Sequence, residues 1–199
     1  TASIQVDESG IYAVQAFVTG SSCPGEASIG VSTELVVNGD FESGPTGFYT
    51  DYRNRTGIYY NGNATTGLYP EGDYSVDKSA YSPSNGTGYH KDFHGRDHTT
   101  GAGNFMMVNG SKDLITIWEK TVNVLPNTDY YFSAWGMNLN PTSPARLLFE
   151  VNGVQVGTIA ELNSAPKPTT EGQVALSNLV RFYSNPTWIS GPTTTTAVI

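Results

Sequence analysis

One cysteine, Cys23, stands alone in 199 residues. That excludes an internal disulfide and a cysteine-based metal cluster. It fits a reducing compartment, and equally a bacterial surface protein held by sheet packing and bound cations. Positive charge is scarce as well. Lys and Arg total 10 against 18 Asp and Glu, for a net charge of −8 and a pI near 4.7. The basic residues are scattered, so neither nucleic acid nor an anionic membrane surface meets a basic footprint. No apolar run approaches the roughly 20 residues of a membrane-crossing helix, and no membrane insertion is expected. Signatures of catalysis are missing too: no Gly-x-Ser-x-Gly elbow, no His-Glu-x-x-His and no phosphate loop occurs. Carboxylates suited to glycoside hydrolysis are present, but no pattern sets two of them across a cleft. The chain is therefore read as non-enzymatic.

What the chain does have points to strands. Glycine numbers 22 and tyrosine 12, a composition that favours short strands joined by turns. Charged residues make up only 14% and hydrophobic ones 38%, which argues against disorder. Ile11 to Val18 alternates as a strand, and so do Ala27, Ile29 and Val31. Glu34 to Val37 reads as a short strand. From Gly44 to His90 the sequence is loop-like and holds eight of the twelve tyrosines, with Tyr74-Ser75-Val76 as a strand inside it. Phe105 to Val108, the long stretch Ile115 to Val124, and Tyr130 to Met137 follow as strands. In the last of these Tyr130, Phe132 and Ala134 share one face, and Tyr131, Ser133 and Trp135 the other. Trp118 and Trp135, both on strands, are read as core. Asn152-Gly153 between apolar runs predicts a hairpin with a type I′ turn. Residues 163–173 read as a Pro/Thr linker loop, and Trp188-Ile189 and Ala197 to Ile199 as late strands. No helix longer than a turn or two is expected.

Taken in order, several segments resemble the galactose-binding-like jelly-roll modules shared by carbohydrate-binding module families and MAM-type adhesion domains. They are LVVNGDFESG (35–44), YPEGDYSV (69–76), YHKDFHGRDHTTGAGNFMMVNGS (89–111), IWEKTVNVLPNTDYYFSAWGMN (117–138), LLFEVNGVQVGTI (147–159) and WISGPTTTTAVI (188–199). The likeness is nearest to modules of surface proteins from gliding, type IX-secreting bacteria. The N-terminal pattern SGxYxV…GxxCPGxAxIxV, from Ser9 to Val31, resembles the last strands of Ig-like or PKD-like repeats. The resemblance implies an all-β chain: a partial Ig-like strand pair over 1–32, then a jelly-roll β-sandwich over 33–199. Family members continue into a strand ending in Asp-Asp and an apolar residue, so the module is expected to lack its last strand. The implied function is a non-catalytic segment of a large secreted bacterial cell-surface adhesin or surface filament, serving adhesion and acting as a spacer. The alternative is a carbohydrate-binding module that targets an attached enzyme to polysaccharide. Its partners would be an extracellular glycan or protein and neighbouring domains of the same chain.

Two sets of site residues come from this reading. Related modules hold a structural cation where Asp40, Glu42 and Asp97 lie, and calcium takes six to eight oxygen ligands from such loops. The other reading is that Asp40 caps a turn and Asp97 forms an Asx turn with Thr99. The second set is a sugar platform of Tyr52, Arg53, Tyr59, Tyr60 and Tyr69, where rings would stack on pyranose faces and polar groups would bind hydroxyls. Tyrosines in long loops also pack on one another, which is the competing account. His90, His94 and His98 are spaced four apart, a metal face on a helix, but the glycines at 95, 101 and 103 argue against a helix there.

Overall fold

The computed structural model describes residues 10–16, 25–31, 35–81, 88–140, 143–162, 180–183 and 187–199. The linker read at 163–173 lies outside them, but for its neighbour Leu162. The chain divides into two units, Thr1–Val37 and Asn38–Ile199. Among the described residues there is no helix, and every regular element is a strand. None of them forms a helix long and apolar enough to cross a membrane.

In the first unit, β1 (Gly10–Ala16) pairs antiparallel with β2 (Gly25–Val31), Gly10 opposite Val31 and Ala16 opposite Gly25. Leu35 and Val36, read as part of a strand, belong to none, and Val37 opens a turn. The turn forces the break: Asn38 takes a φ of 61°, and Phe41 N–H donates to the Asn38 carbonyl at 3.2 Å. Asparagine tolerates this left-handed conformation better than other non-glycine residues.

The second unit is organised around β3 (Arg53–Asn54), β4 (Asp73–Asp77) and β5 (Phe105–Asn109). Here β3 runs parallel to β4, and β4 antiparallel to β5 with Ser75 opposite Met107. Strand alternation sends Tyr74 and Val76 to one face of β4 and Asp73, Ser75 and Asp77 to the other. The first face packs with Tyr52, Phe41, Phe48, Met106, Val108 and Ile117. On the second face Met107 and Phe105 meet Leu68, Tyr89, Phe93 and Leu139. With apolar clusters on both sides, β4 is buried along its length except for its last residue. Asp73 is met there by two arginines and Asp77 by two tyrosine hydroxyls, while the buried Ser75 Oγ has no hydrogen-bond partner among the described residues.

The stretch Ile115 to Val124 is less regular than its sequence predicts. Only β6 (Thr121–Asn123) is a strand. Before it, Glu119 bridges Tyr49, and Thr116 N–H donates to Asp51 Oδ2 at 2.8 Å. After it, β6 pairs with β15 (Thr196–Val198). The extended segment changes partner midway, so no single ladder runs its length. The return strand is likewise split. β7 (Asp129–Tyr130) pairs with β14 (Trp188–Ile189), and β8 (Ser133–Gly136) with β13 (Val180–Tyr183). The hairpin holds: β10 (Glu150–Val151) and β11 (Val154–Gln155) close on Asn152 and Gly153, at φ 53° and 73°. Outside it, β9 (Arg146–Leu147) pairs with β12 (Ala160–Glu161).

Candidate functional site

The loop tyrosines are packed largely on each other. Tyr60 stacks on Tyr69 at 4.0 Å between centroids, Tyr69 on His90 at 4.2 Å, and His90 on Phe93 at 4.3 Å. Both faces of the Tyr69 ring are thus covered by neighbours. Burial pushes its hydroxyl up to about 12, with the adjacent Tyr60 hydroxyl adding to the rise. Tyr52, 7% exposed, belongs to the core, and its hydroxyl accepts the Ser111 N–H at 3.2 Å. Tyr59 keeps 42% of its surface in solvent, but its hydroxyl donates to Asp77 Oδ2 at 3.1 Å. Tyr89 donates to the same oxygen at 2.8 Å while accepting the Gly57 N–H. Arg53 makes a fork with Asp73, Nε to Oδ1 at 2.8 Å and Nη2 to Oδ2 at 2.9 Å, and Arg55 Nε reaches Oδ2 at 2.9 Å. Of the five residues expected to form the sugar platform, Tyr52 and Tyr69 are spent on internal contacts and Arg53 is paired with Asp73. Tyr59 and Tyr60 lie against Tyr89 and Tyr69.

The carboxylates at 40, 42 and 97 serve backbone donors. Asp40 Oδ1 accepts the Glu42 N–H at 3.3 Å. Glu42 Oε1 accepts the Asn104 N–H at 2.7 Å, which ties the 38–44 turn to the segment leading into β5. Asp97 accepts the Thr100 N–H at 2.6 Å and the Gly103 N–H at 2.8 Å. Burial alone would raise the Asp97 carboxyl, but these amide donors outweigh it and hold it below the usual value. Glu42 and Asp97 therefore converge on Gly103–Asn104, with Asp40 one turn away. Among the described residues there is no group of three or more His, Cys, Asp or Glu side chains able to hold a metal. The three histidines part company as well. His90 sits within the four-ring stack, His94 lies against Tyr81 at 6.0 Å, and His98 stacks on Trp135 at 4.0 Å and 12°.

That last contact leads to a surface the sequence reading passed over. Trp135 is not core: it is 46% exposed, and Tyr131 on the same side is 51% exposed. The opposite side holds Phe132, which is buried, in ring contact with Tyr130, Phe149 and Trp188. From β13, Arg181 lies opposite Trp135 in register. Its guanidinium carbon sits 5.6 Å over the Tyr131 ring, and Nη2 donates to Ser133 Oγ at 3.3 Å. Tyr131 and Ser133 are thus joined by a cation on the exposed side that also carries Trp135, with His98 stacked on the indole. The signal for this face was the alternation over 130–135. What it lacked was a way to tell which of two aromatic faces would be covered.

Compared with known proteins, the chain matches no family model, no curated protein and no solved structure.

Proposed function

We propose that this chain is a non-catalytic binding segment of a secreted bacterial cell-surface protein, acting in adhesion through contact with an extracellular glycan. In this reading Asn38–Ile199 is a jelly-roll module. The order of its segments, the absence of helix among the described residues and the mainly antiparallel pairing support that assignment. One observation carries the functional reading: Tyr131 and Trp135 stand exposed on one side of the 130–135 segment, whose other side buries Phe132. Large aromatics are normally buried, and exposed ones grouped on one face mark a contact surface. Rings of this kind offer flat apolar area to the C–H faces of sugars, while nearby polar groups orient hydroxyls.

The test is binding of the folded chain to an immobilised glycan panel, alongside Trp135→Ala. Saturable binding by wild type that the variant loses is the expected result. Binding that survives Trp135→Ala and disappears with Tyr59→Ala would move the contact to the loop cluster. A second reading, that the module is only a spacer, is favoured by the way Tyr60, Tyr69, His90 and Phe93 pack on one another. A folded wild type that binds no glycan is its signature.

A further inference from the structure

The exposed side of β8 combines flat apolar area with a cation, Arg181 of β13, that no described carboxylate neutralises. The other described arginines are engaged elsewhere. Arg53 and Arg55 share Asp73, Arg146 lies 3.4 Å from Glu161, and Arg96 donates to the Gly101 carbonyl. Among the described residues no carboxylate pairs with Arg181. Its contacts among the described residues are the Tyr131 ring and Ser133 Oγ. In a chain of net charge −8, an arginine with no carboxylate partner among the described residues, beside two exposed rings, sets the local chemistry against the overall charge.

We infer that this face takes a carboxylated glycan, a chain bearing uronate sugars, with Trp135 and Tyr131 stacking on sugar rings and Arg181 receiving the carboxylate. The inference rests on the glycan-binding reading above and adds to it the class of sugar.

The geometry favours this occupant over a neutral chain. The Arg181 guanidinium lies over the Tyr131 ring and beside Ser133, on the exposed side that also carries Trp135. A guanidinium carries five donors in a planar fork that matches a carboxylate. One donor goes to Ser133 Oγ, which steers the group, and the stack on Tyr131 holds its plane. Less conformational freedom is then lost when an anion arrives. A neutral sugar would use the rings but leave the cation unmatched. His98 acts as a positioning residue: its ring against the indole at 4.0 Å holds the platform flat.

Two probes test this on the full chain. One is an oligogalacturonate, and the other is the same oligomer with its carboxyl groups reduced to alcohols. Titration calorimetry should give saturable binding to the acid form and at least tenfold weaker binding to the reduced form. Arg181→Ala should lose at least tenfold toward the acid form and nothing toward the reduced form. Arg181→Lys should recover only part, because an ammonium cannot form the fork. Arg146→Ala, whose guanidinium lies 3.4 Å from Glu161, should bind as wild type does. Affinity for the acid form should fall with added salt. Wild type offers a readout that needs no folded variant at position 181: the acid form should change tryptophan fluorescence, and Trp135→Phe should abolish the change. Equal binding to both oligomers, lost in Trp135→Ala and kept in Arg181→Ala, would overturn the acidic-sugar assignment and leave the binding reading standing. No binding of folded wild type to either oligomer or to the neutral panel would overturn both.

Discussion

Asp73 is the best place to perturb the second unit. Its residue is 1% exposed, and two arginines share its carboxylate. Their environments differ: the Arg53 side chain is 60% exposed and that of Arg55 16%. Removing the anion with Asp73→Ala leaves the Arg55 guanidinium partly buried with one remaining acceptor, the Thr65 carbonyl at 3.3 Å. Taking one partner from a buried ion pair costs about 3–5 kcal/mol. At about 2–4 °C per kcal/mol for a domain of this size, the melting temperature should fall by roughly 6–20 °C. Arg53→Ala removes the exposed member only, and Asp73 keeps Arg55, so its midpoint should stay close to that of wild type. Arg55→Ala should fall between the two. The assay is thermal denaturation at pH 7, followed by near-ultraviolet circular dichroism across the three variants. If Arg53→Ala destabilises as much as Asp73→Ala, burial does not rank these partners and the reasoning fails.

Three further outcomes can be checked. Gly67 has a φ of 63°, and a Cβ there would lie 2.2 Å from the Tyr89 carbonyl oxygen. Gly67→Ala should therefore cost well over the ~1–2 kcal/mol of left-handed strain, whereas Gly62→Ala, at φ 95° with nothing within 4 Å, should pay strain alone; thermal melts of the pair decide. Burial holds the His90 imidazole below its ordinary value of 6.5, with Lys91 lowering it further and Asp92 opposing. The unfolded chain therefore takes a proton first, and stability should decline as pH falls from about 6.5, levelling off below the folded-state value. His90→Phe, which keeps a ring in the stack, should flatten that slope; an unchanged slope refutes the assignment. Asp97→Ala orphans the Thr100 N–H and leaves the Gly103 N–H with Thr100 Oγ1 alone, at 2.8 Å, a loss of about 1–3 kcal/mol. In wild type the same contribution should be present above the carboxyl's ordinary 3.8 and disappear as pH drops through the lower folded-state value. Acid titrations of wild type and Asp97→Ala should converge there.

Local signals in the sequence proved legible and non-local ones did not. Asn152-Gly153 predicts its hairpin because the two residues supply both positive φ angles themselves. Tyr74 to Val76 and Phe105 to Val108 are readable because apolar, β-prone runs are bounded by turn formers. The stretch 115–124 misleads because its partners lie far away in sequence and differ between its halves. Trp135 misleads for another reason. Both faces of 130–135 carry aromatics, and the exposed side is settled only by Phe149 and Trp188 packing against the other. The spacing of His90, His94 and His98 means little on an irregular backbone, where each ring finds its own aromatic partner. For the carboxylates at 40, 42 and 97, residue type alone cannot separate oxygen ligands for a cation from acceptors for amides. The amide geometry is visible only once Gly103 and Asn104 are in place.

The partner change along residues 116–124 also bears on how the unit is made. Seventy residues separate Tyr49 from Glu119, and seventy-five separate Val122 from Ala197. Closing loops of that length costs chain entropy before any contact rewards it, so a topology built on such pairings folds slowly. One short extended segment takes part in both closures. Until 49–51 and 196–198 have each docked on it, neither half of the segment has its ladder, and its backbone donors stay open to any passing strand. The long-range closures of this unit thus meet at residues 116–124, a stretch apart from the exposed rings of Tyr131 and Trp135.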